Sequence, residues 1–219
     1  MTAAQFKKLV NKHFKPEIQE LGWTGSGYNY RKFEGNHLIK TFGMYGSWMG
    51  GKVYCETGIH YDFLPIYYGK NTSIEKITVT ECVIRSRLSV GSWSLYKDEN
   101  ENIEQISAIL NEFLTIGKSF YEDFENYPNT FCDISPDSIF EKGFRLIGKY
   151  NIIQTFDFLK MLIDINLHLG RTEKAHEFSE RGIAEIKNMA EKQSYGQKKD
   201  TNRKLDQNSL MRIEMLKIK

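Results

Sequence analysis

Between Tyr28 and Phe63 the chain reads YNYRKFEGNHLIKTFGMYGSWMGGKVYCETGIHYDF, three strand-like runs separated by two glycine-bearing turns. Strand side chains alternate between the faces of a sheet, so a one-residue slip in register would invert every one of them. From Lys52 to Phe63 the alternation is regular. Val53, Cys55, Thr57, Ile59, Tyr61 and Phe63 share one face, and Lys52, Tyr54, Glu56, Gly58, His60 and Asp62 share the other. The first set suits a core covered by helices. Two earlier strands are expected at 28–33 and 37–48, with Glu34, Gly35 and Asn36 as their hairpin turn and Met49, Gly50 and Gly51 leading into the third. Gly43, Gly46 and Gly58 inside strand patterns mark a bulge, or a place where another group comes close to the backbone.

The flanking segments change period. Phe6, Leu9, Val10, Phe14, Ile18 and Leu21 recur at helical spacing after Thr2, a capping residue. Pro16 inside that pattern either kinks the helix or starts a second one as a first-turn residue. A fourth strand is expected near 76–88, where Cys82, Ile84, Ser86 and Leu88 alternate with Val83, Arg85 and Arg87, and a short fifth at 92–96. A broad apolar stripe from Ile103 through Leu114 to Phe124 then predicts one long helix over 102–124. Ser135-Pro136 opens a short helix, and helices are expected over 151–169, 172–193 and 210–218, with a polar linker at 194–208. The fold class is therefore α+β: an N-terminal helix, an antiparallel sheet of four to five strands, then a C-terminal helical region including a helix hairpin. The expected division is an α+β domain over 1–128 and a helical extension over 129–219 packed on it.

At 219 residues the chain buries roughly 70% of its unfolded surface on folding, so it needs neither a disulfide nor a metal to hold together. Cys55, Cys82 and Cys132 are far apart and have no zinc-ligand spacing, which reads as reduced thiols. No long apolar run and no apolar leader core occur, so a cytoplasmic location is expected. Charge is unevenly spread. Residues 1–96 carry 12 Lys/Arg against 7 Asp/Glu, residues 97–141 carry 2 against 11, and residues 187–219 carry 9 against 4. Such blocks either steer a charged partner or pair off internally.

Glu56, His60 and Asp62 on one strand face, with Arg85 and Arg87 from a neighbouring strand, form the most enzyme-like set. A histidine between carboxylates can act as a tuned base or help to hold a divalent metal. The same alternation is also what the open face of a half-buried sheet shows, a solvated surface with cross-strand ion pairs, and this is the preferred reading. No HExxH, GxSxG, Walker-type or dinucleotide glycine pattern is present. No cofactor is implied. Tyr28, Tyr30, Tyr45, Trp48, Tyr54, Tyr67 and Tyr68, with Arg31, Lys32 and Lys40 nearby, could stack bases. Aromatics are equally good strand formers, and no RNA-binding motif accompanies them. Leu159, Leu162, Gly170, Ala175, Phe178 and Gly182 resemble the spacing of one tetratricopeptide repeat. Asn166 stands where a large aromatic is usual, however, and no second repeat follows, so a packing helical hairpin is preferred.

FKKLVNKHFKPEIQELGWTGSGYNYRKFEGN followed by GSWMGGKVYCETGIHYDF resembles a family of bacterial proteins catalogued as domain of unknown function 4304. Its members open with a helix ending in a leucine–glycine–aromatic step and continue into an aromatic-rich hairpin. The resemblance covers roughly residues 3–125 and continues through FYEDFENYP. It implies a fold, and carries no activity, cofactor or site residue. The function expected is a non-catalytic, protein-binding accessory or immunity-like module, with Arg85, Arg87, Tyr67 and Tyr68 as candidate contacts. The alternative is a metal-assisted hydrolase on Glu56, His60 and Asp62. Nucleic acid is the least favoured partner, and no membrane association is expected.

Overall fold

A computed structural model describes residues 1–47, 49–67, 73–88, 91–195 and 205–218, with the side chains of 193–195 left aside. The chain divides into two compact units, Met1–Thr130 and Phe131–Lys219. The first opens with α1 (Ala3–His13), capped by Thr2 in a reciprocal capping box with Gln5. The helix stops at Phe14 and restarts as α2 (Lys15–Glu20), with Pro16 in its first turn. Proline has no N–H to give an upstream carbonyl, so it is tolerated at a helix start and excluded from an interior.

Six strands follow: β1 (Thr24–Ser26), β2 (Asn29–Phe33), β3 (Leu38–Gly46), β4 (Lys52–Tyr61), β5 (Ile84–Arg87) and β6 (Trp93–Ser94). They pair antiparallel in the order β1-β2-β3-β4-β5, and β6 joins β4 beyond the end of β5. The sheet thus has the expected character, with a three-residue strand added before the hairpin. The β2–β3 turn is one residue longer than expected. Asn36 and His37 both have positive φ, and the Glu34 amide closes the loop on the Leu38 carbonyl. Segment 76–83 is not strand. It forms two 3-10 turns, Ile74–Lys76 and Val79–Glu81, and the fourth strand reduces to Ile84–Arg87. The alternation there records packing against the sheet and not pairing within it. Trp48 and 68–72 lie outside the described residues.

The long helix runs as α3 (Glu99–Glu112), a π turn (Phe113–Gly117) and α4 (Lys118–Glu122). Asp98 caps it by accepting from the Asn100 and Glu101 amides. Its inner side meets the sheet across an aromatic core of Phe14, Trp23, Tyr30, Phe42, Phe113 and Tyr121, all buried. Phe113 lies 4.9 Å from Phe42 and 5.1 Å from Trp23 between ring centroids. Gly117 brings the helix onto β4, because a Cβ there would sit 3.3 Å from Thr57 Cγ2.

The second unit holds a 3-10 turn at Ser138–Phe140, where a short helix was expected, followed by α5 (Thr155–His168), α6 (Thr172–Tyr195) and α7 (Gln207–Leu216). Leu159, Leu162, Ala175 and Phe178 are the buried seam of the α5–α6 hairpin, and Gly170 turns the chain at φ +70°. Asn166 is buried there and donates to the Leu162 carbonyl at 2.7 Å, so it serves its own helix. The linker residues 196–204 lie outside the described residues. No described helix is long and apolar enough to cross a membrane.

Candidate functional site

The polar face of β4 is closed. Glu56 is 7% exposed and His60 3%, whereas a solvated face was expected. The segment carrying the two 3-10 turns lies over it, packing Ile77 and Cys82 on Ile39. Gly43 and Gly58 make this possible. A Cβ at Gly43 would overlap Val79, and one at Gly58 would come within 2.8 Å of Thr41 Oγ1 and 3.0 Å of Cys82 Cβ. Both glycines pack under this segment in regular ladder pairs, so close approach explains them.

The three proposed catalytic side chains each answer to a different partner. Glu56 accepts from Arg87 Nε at 3.2 Å and lies 3.6 Å from Arg85 Nη1, both from β5, its neighbour in the sheet. His60 Nε2 lies 3.2 Å from the Leu64 carbonyl, which makes that nitrogen the N–H donor. Burial pushes its pKa below 6.5, opposed by the Leu64 carbonyl and by Asp62 and Glu81. Asp62 stands outside, 2.6 Å from His37 Nδ1, on a pair that is about half exposed. Among the described residues no group of three or more His, Cys, Asp and Glu side chains is placed to share a metal ion.

Arg87 and the tyrosines beside it form a ladder across three strands. Tyr45 stacks on Tyr54 at 5.6 Å, and the Arg87 guanidinium covers the Tyr54 ring at 4.7 Å. Burial, then a hydrogen bond to Glu56, pushes the Tyr45 hydroxyl up to about 12. Ring faces used this way are not free to stack bases. Tyr30 is buried, and Tyr28 donates to the Ala3 carbonyl and packs near Phe6. Of the described tyrosines in this set only Tyr30 is buried, and Tyr28, Tyr45 and Tyr54 are partly covered by these contacts. Tyr67 is half-buried, and Tyr68 lies outside the described residues.

A concavity of about 510 Å³ opens elsewhere, between the end of α2, the β2–β3 hairpin and the π turn. Trp23, Phe113 and Tyr121 form its floor, and Leu21 and Leu114 stand on its rim at 47% and 39% exposure. Leu114 belongs to the apolar stripe read as core, yet in the π turn three consecutive residues, Leu114, Thr115 and Ile116, face outward. Such turns are frequent at functional sites. Lys40, nearly buried, holds Glu125 at 2.7 Å and Glu34 at 3.3 Å and lies 5.7 Å from the Tyr121 ring. Lys32 pairs with the same Glu34 at 2.9 Å, and together these contacts keep the Glu34 carboxyl below its usual range despite partial burial. The Tyr121 hydroxyl donates to the Thr41 carbonyl at 2.7 Å, and burial raises its pKa. The signal for this groove was the surplus of apolar residues in FLTIG, more than a 3.6-residue stripe can bury.

Chemically the groove can seat an apolar side chain against aromatic rings inside a rim whose charges already neutralise one another. A family model described as Domain of unknown function (DUF4304) matches residues 14–123, which include every groove residue named here except Glu125. No curated protein and no solved structure matches the chain.

Proposed function

This chain belongs to the family of the domain of unknown function DUF4304, and on that premise we propose that it is a non-catalytic, cytoplasmic protein-binding module of accessory or immunity type. The observation that carries the reading is the groove beside the π turn. Large apolar side chains are left half-exposed over an aromatic floor, in a segment matched by the family. Interfaces draw most of their affinity from such desolvated aromatic and aliphatic anchors. The rim charges, Lys32 with Glu34 and Lys118 with Glu122, are satisfied internally and would exclude water around an inserted side chain.

The test is capture from lysate by the tagged full chain and by its Leu114→Asp variant, after circular dichroism has shown both folded. A partner recovered in near-equal amount by the parent and lost by the variant supports the groove. Identical captured sets from both proteins would remove it. The alternative hydrolase on Glu56, His60 and Asp62 requires three side chains now held by Arg85/Arg87, Leu64 and His37 to converge on one substrate. A hydrolytic activity abolished by His60→Gln in a folded protein would revive it.

A further inference from the structure

Residues 196–206 separate α7 from α6 in the sequence, and α7 lies back on the α5–α6 hairpin. Of its ten residues only Leu216 is buried. Ile213 and Met215 are half-buried, and Leu210 and Met211 are 52% and 64% exposed. The first turns stand off from α6, with a concavity of about 220 Å³ between Ile186 and Ala190 on one side and Ser209 and Arg212 on the other. Packed interiors leave few voids larger than a water molecule, so this seam is loosely filled. A helix of this length has little stability of its own in water and depends on the face it packs against.

The attachment is concentrated at the C-terminal end of the helix. Ser179, Gly182 and Ile186 recur at helical spacing on α6 and form the face beneath α7. A Cβ at Gly182 would stand 2.7 Å from Leu216 Cδ1 and 3.1 Å from Leu159 Cδ1, so the glycine is a notch that receives the leucine. Glycine weakens a helix interior, and this close approach accounts for it here. Ser179 Oγ donates to the Leu216 carbonyl at 2.7 Å. Nearer the start of α7, the Arg212 guanidinium stacks on Phe156 of α5 at 5.2 Å.

We propose that α7 is a releasable cover, and that the α6 face beneath it, centred on the Gly182 notch, docks an amphipathic helix of a partner protein in its place. The chemistry of the occupant is given by α7 itself. It is a helix whose leucine enters the notch beside Leu159 and whose backbone carbonyl at that point meets Ser179. Its solvent-facing residues carry no part of the recognition. An amphipathic helix laid into a groove is read through a few anchors one turn apart. The covalent tether holds α7 at high effective concentration, so the face stays closed until a competing helix arrives. Release is local, because the elements with the fewest buried contacts open first and without the rest of the unit. This face lies outside the family-matched segment 14–123 and does not depend on the groove beside Phe113.

The test has two arms. In the first, hydrogen exchange of the full chain is followed by mass spectrometry. Amides of 207–216 should exchange at least about a hundredfold faster than those of α5. Equal protection in the two helices overturns the proposal. In the second, a labelled peptide of residues 205–219 is added to the full chain and read by fluorescence anisotropy. Leu216→Asp in the full chain frees the face from its own helix, and this variant should bind the peptide about tenfold or more tighter than the parent. A peptide with alanine at the exposed positions of Gln207, Asn208, Leu210, Met211 and Glu214 should bind equally well, and one carrying Leu216→Asp should not bind. Gly182→Leu, added to the Leu216→Asp chain, fills the notch and should abolish binding. Binding no tighter in the Leu216→Asp chain than in the parent, or binding that survives Gly182→Leu, sinks the idea. Should circular dichroism show that Leu216→Asp does not fold, Gly182→Ala decides together with the exchange arm. It should speed exchange in α7 and leave α5 as protected as before, and an unchanged α7 overturns the proposal.

Discussion

The two faces of the β3–β4 pair are built on opposite plans. On the helix-covered face, Phe42, Ile59 and Tyr61 fill the space themselves, and large side chains meet large side chains. On the other, Gly43, Gly58 and Thr41 leave space, and the chain segment at 74–83 moves into it. The first face is held by side-chain volume, and the second by its absence. Polar groups survive on the second face because each finds a fixed partner: Glu56 two arginines, His60 a backbone carbonyl. A buried polar group is tolerated on those terms and not otherwise. A histidine and a glutamate near each other on a strand are therefore no evidence of catalysis when β5 and the Leu64 carbonyl already hold them.

Truncation on the filled face should produce the largest loss. Phe42→Ala removes a fully buried ring stacked 5.3 Å from Phe14 and should cost about 3–5 kcal/mol in denaturant unfolding. On the vacant face the damaging change is the reverse, an addition. Gly58→Ala should cost about 1–3 kcal/mol through crowding, because Cys82 Cβ and Val79 Cγ2 would stand 3.0 and 3.1 Å from the new carbon. If Gly58→Ala were stabilising, the covering segment would not be packed as described.

A pH series sharpens the comparison further. His60 has a folded pKa below its ordinary 6.5 because burial disfavours the imidazolium. The unfolded chain thus takes up a proton before the folded one does. The associated stability is complete above about pH 6.5 and is lost as pH falls toward the folded value, at up to about 1.4 kcal/mol per pH unit. His60→Gln keeps a donor for the Leu64 carbonyl and should flatten this part of the profile between pH 7.5 and 5. An unchanged profile would place the acid sensitivity elsewhere. The smallest stability effect belongs to the groove. Leu114→Ser, at a site 39% exposed, should shift unfolding by no more than about 0.5 kcal/mol while abolishing partner capture.

Legibility varied by element and for identifiable reasons. The break at Pro16, the third strand at Lys52–Tyr61 and the hairpin of α5 and α6 were readable because each rests on a local rule: proline geometry, period-two alternation, a glycine stop. The family too was readable, from the residues around Leu21–Gly22–Trp23 and the aromatic hairpin that follows. Segment 76–83 was misread because alternation around Cys82 and Ile84 looks the same whether a chain pairs in a sheet or lies across it. Leu114 was misread because the apolar surplus in FLTIG passes for part of one continuous stripe, whereas the helix widens at Phe113–Gly117 and turns Leu114, Thr115 and Ile116 outward.

The sequence alone determined the class of the fold, the antiparallel hairpins and the side-chain alternation of β4, because these follow from periodicity, proline and glycine acting over a few residues. Only the tertiary structure decided which of the alternating faces would be wet. That depended on whether the segment at 74–83, outside the β3–β4 hairpin, would fold back over Gly43 and Gly58. Its interactions there, Val79 and Cys82 packing against two glycines, are contacts between residues distant in the chain, and no local pattern contains them.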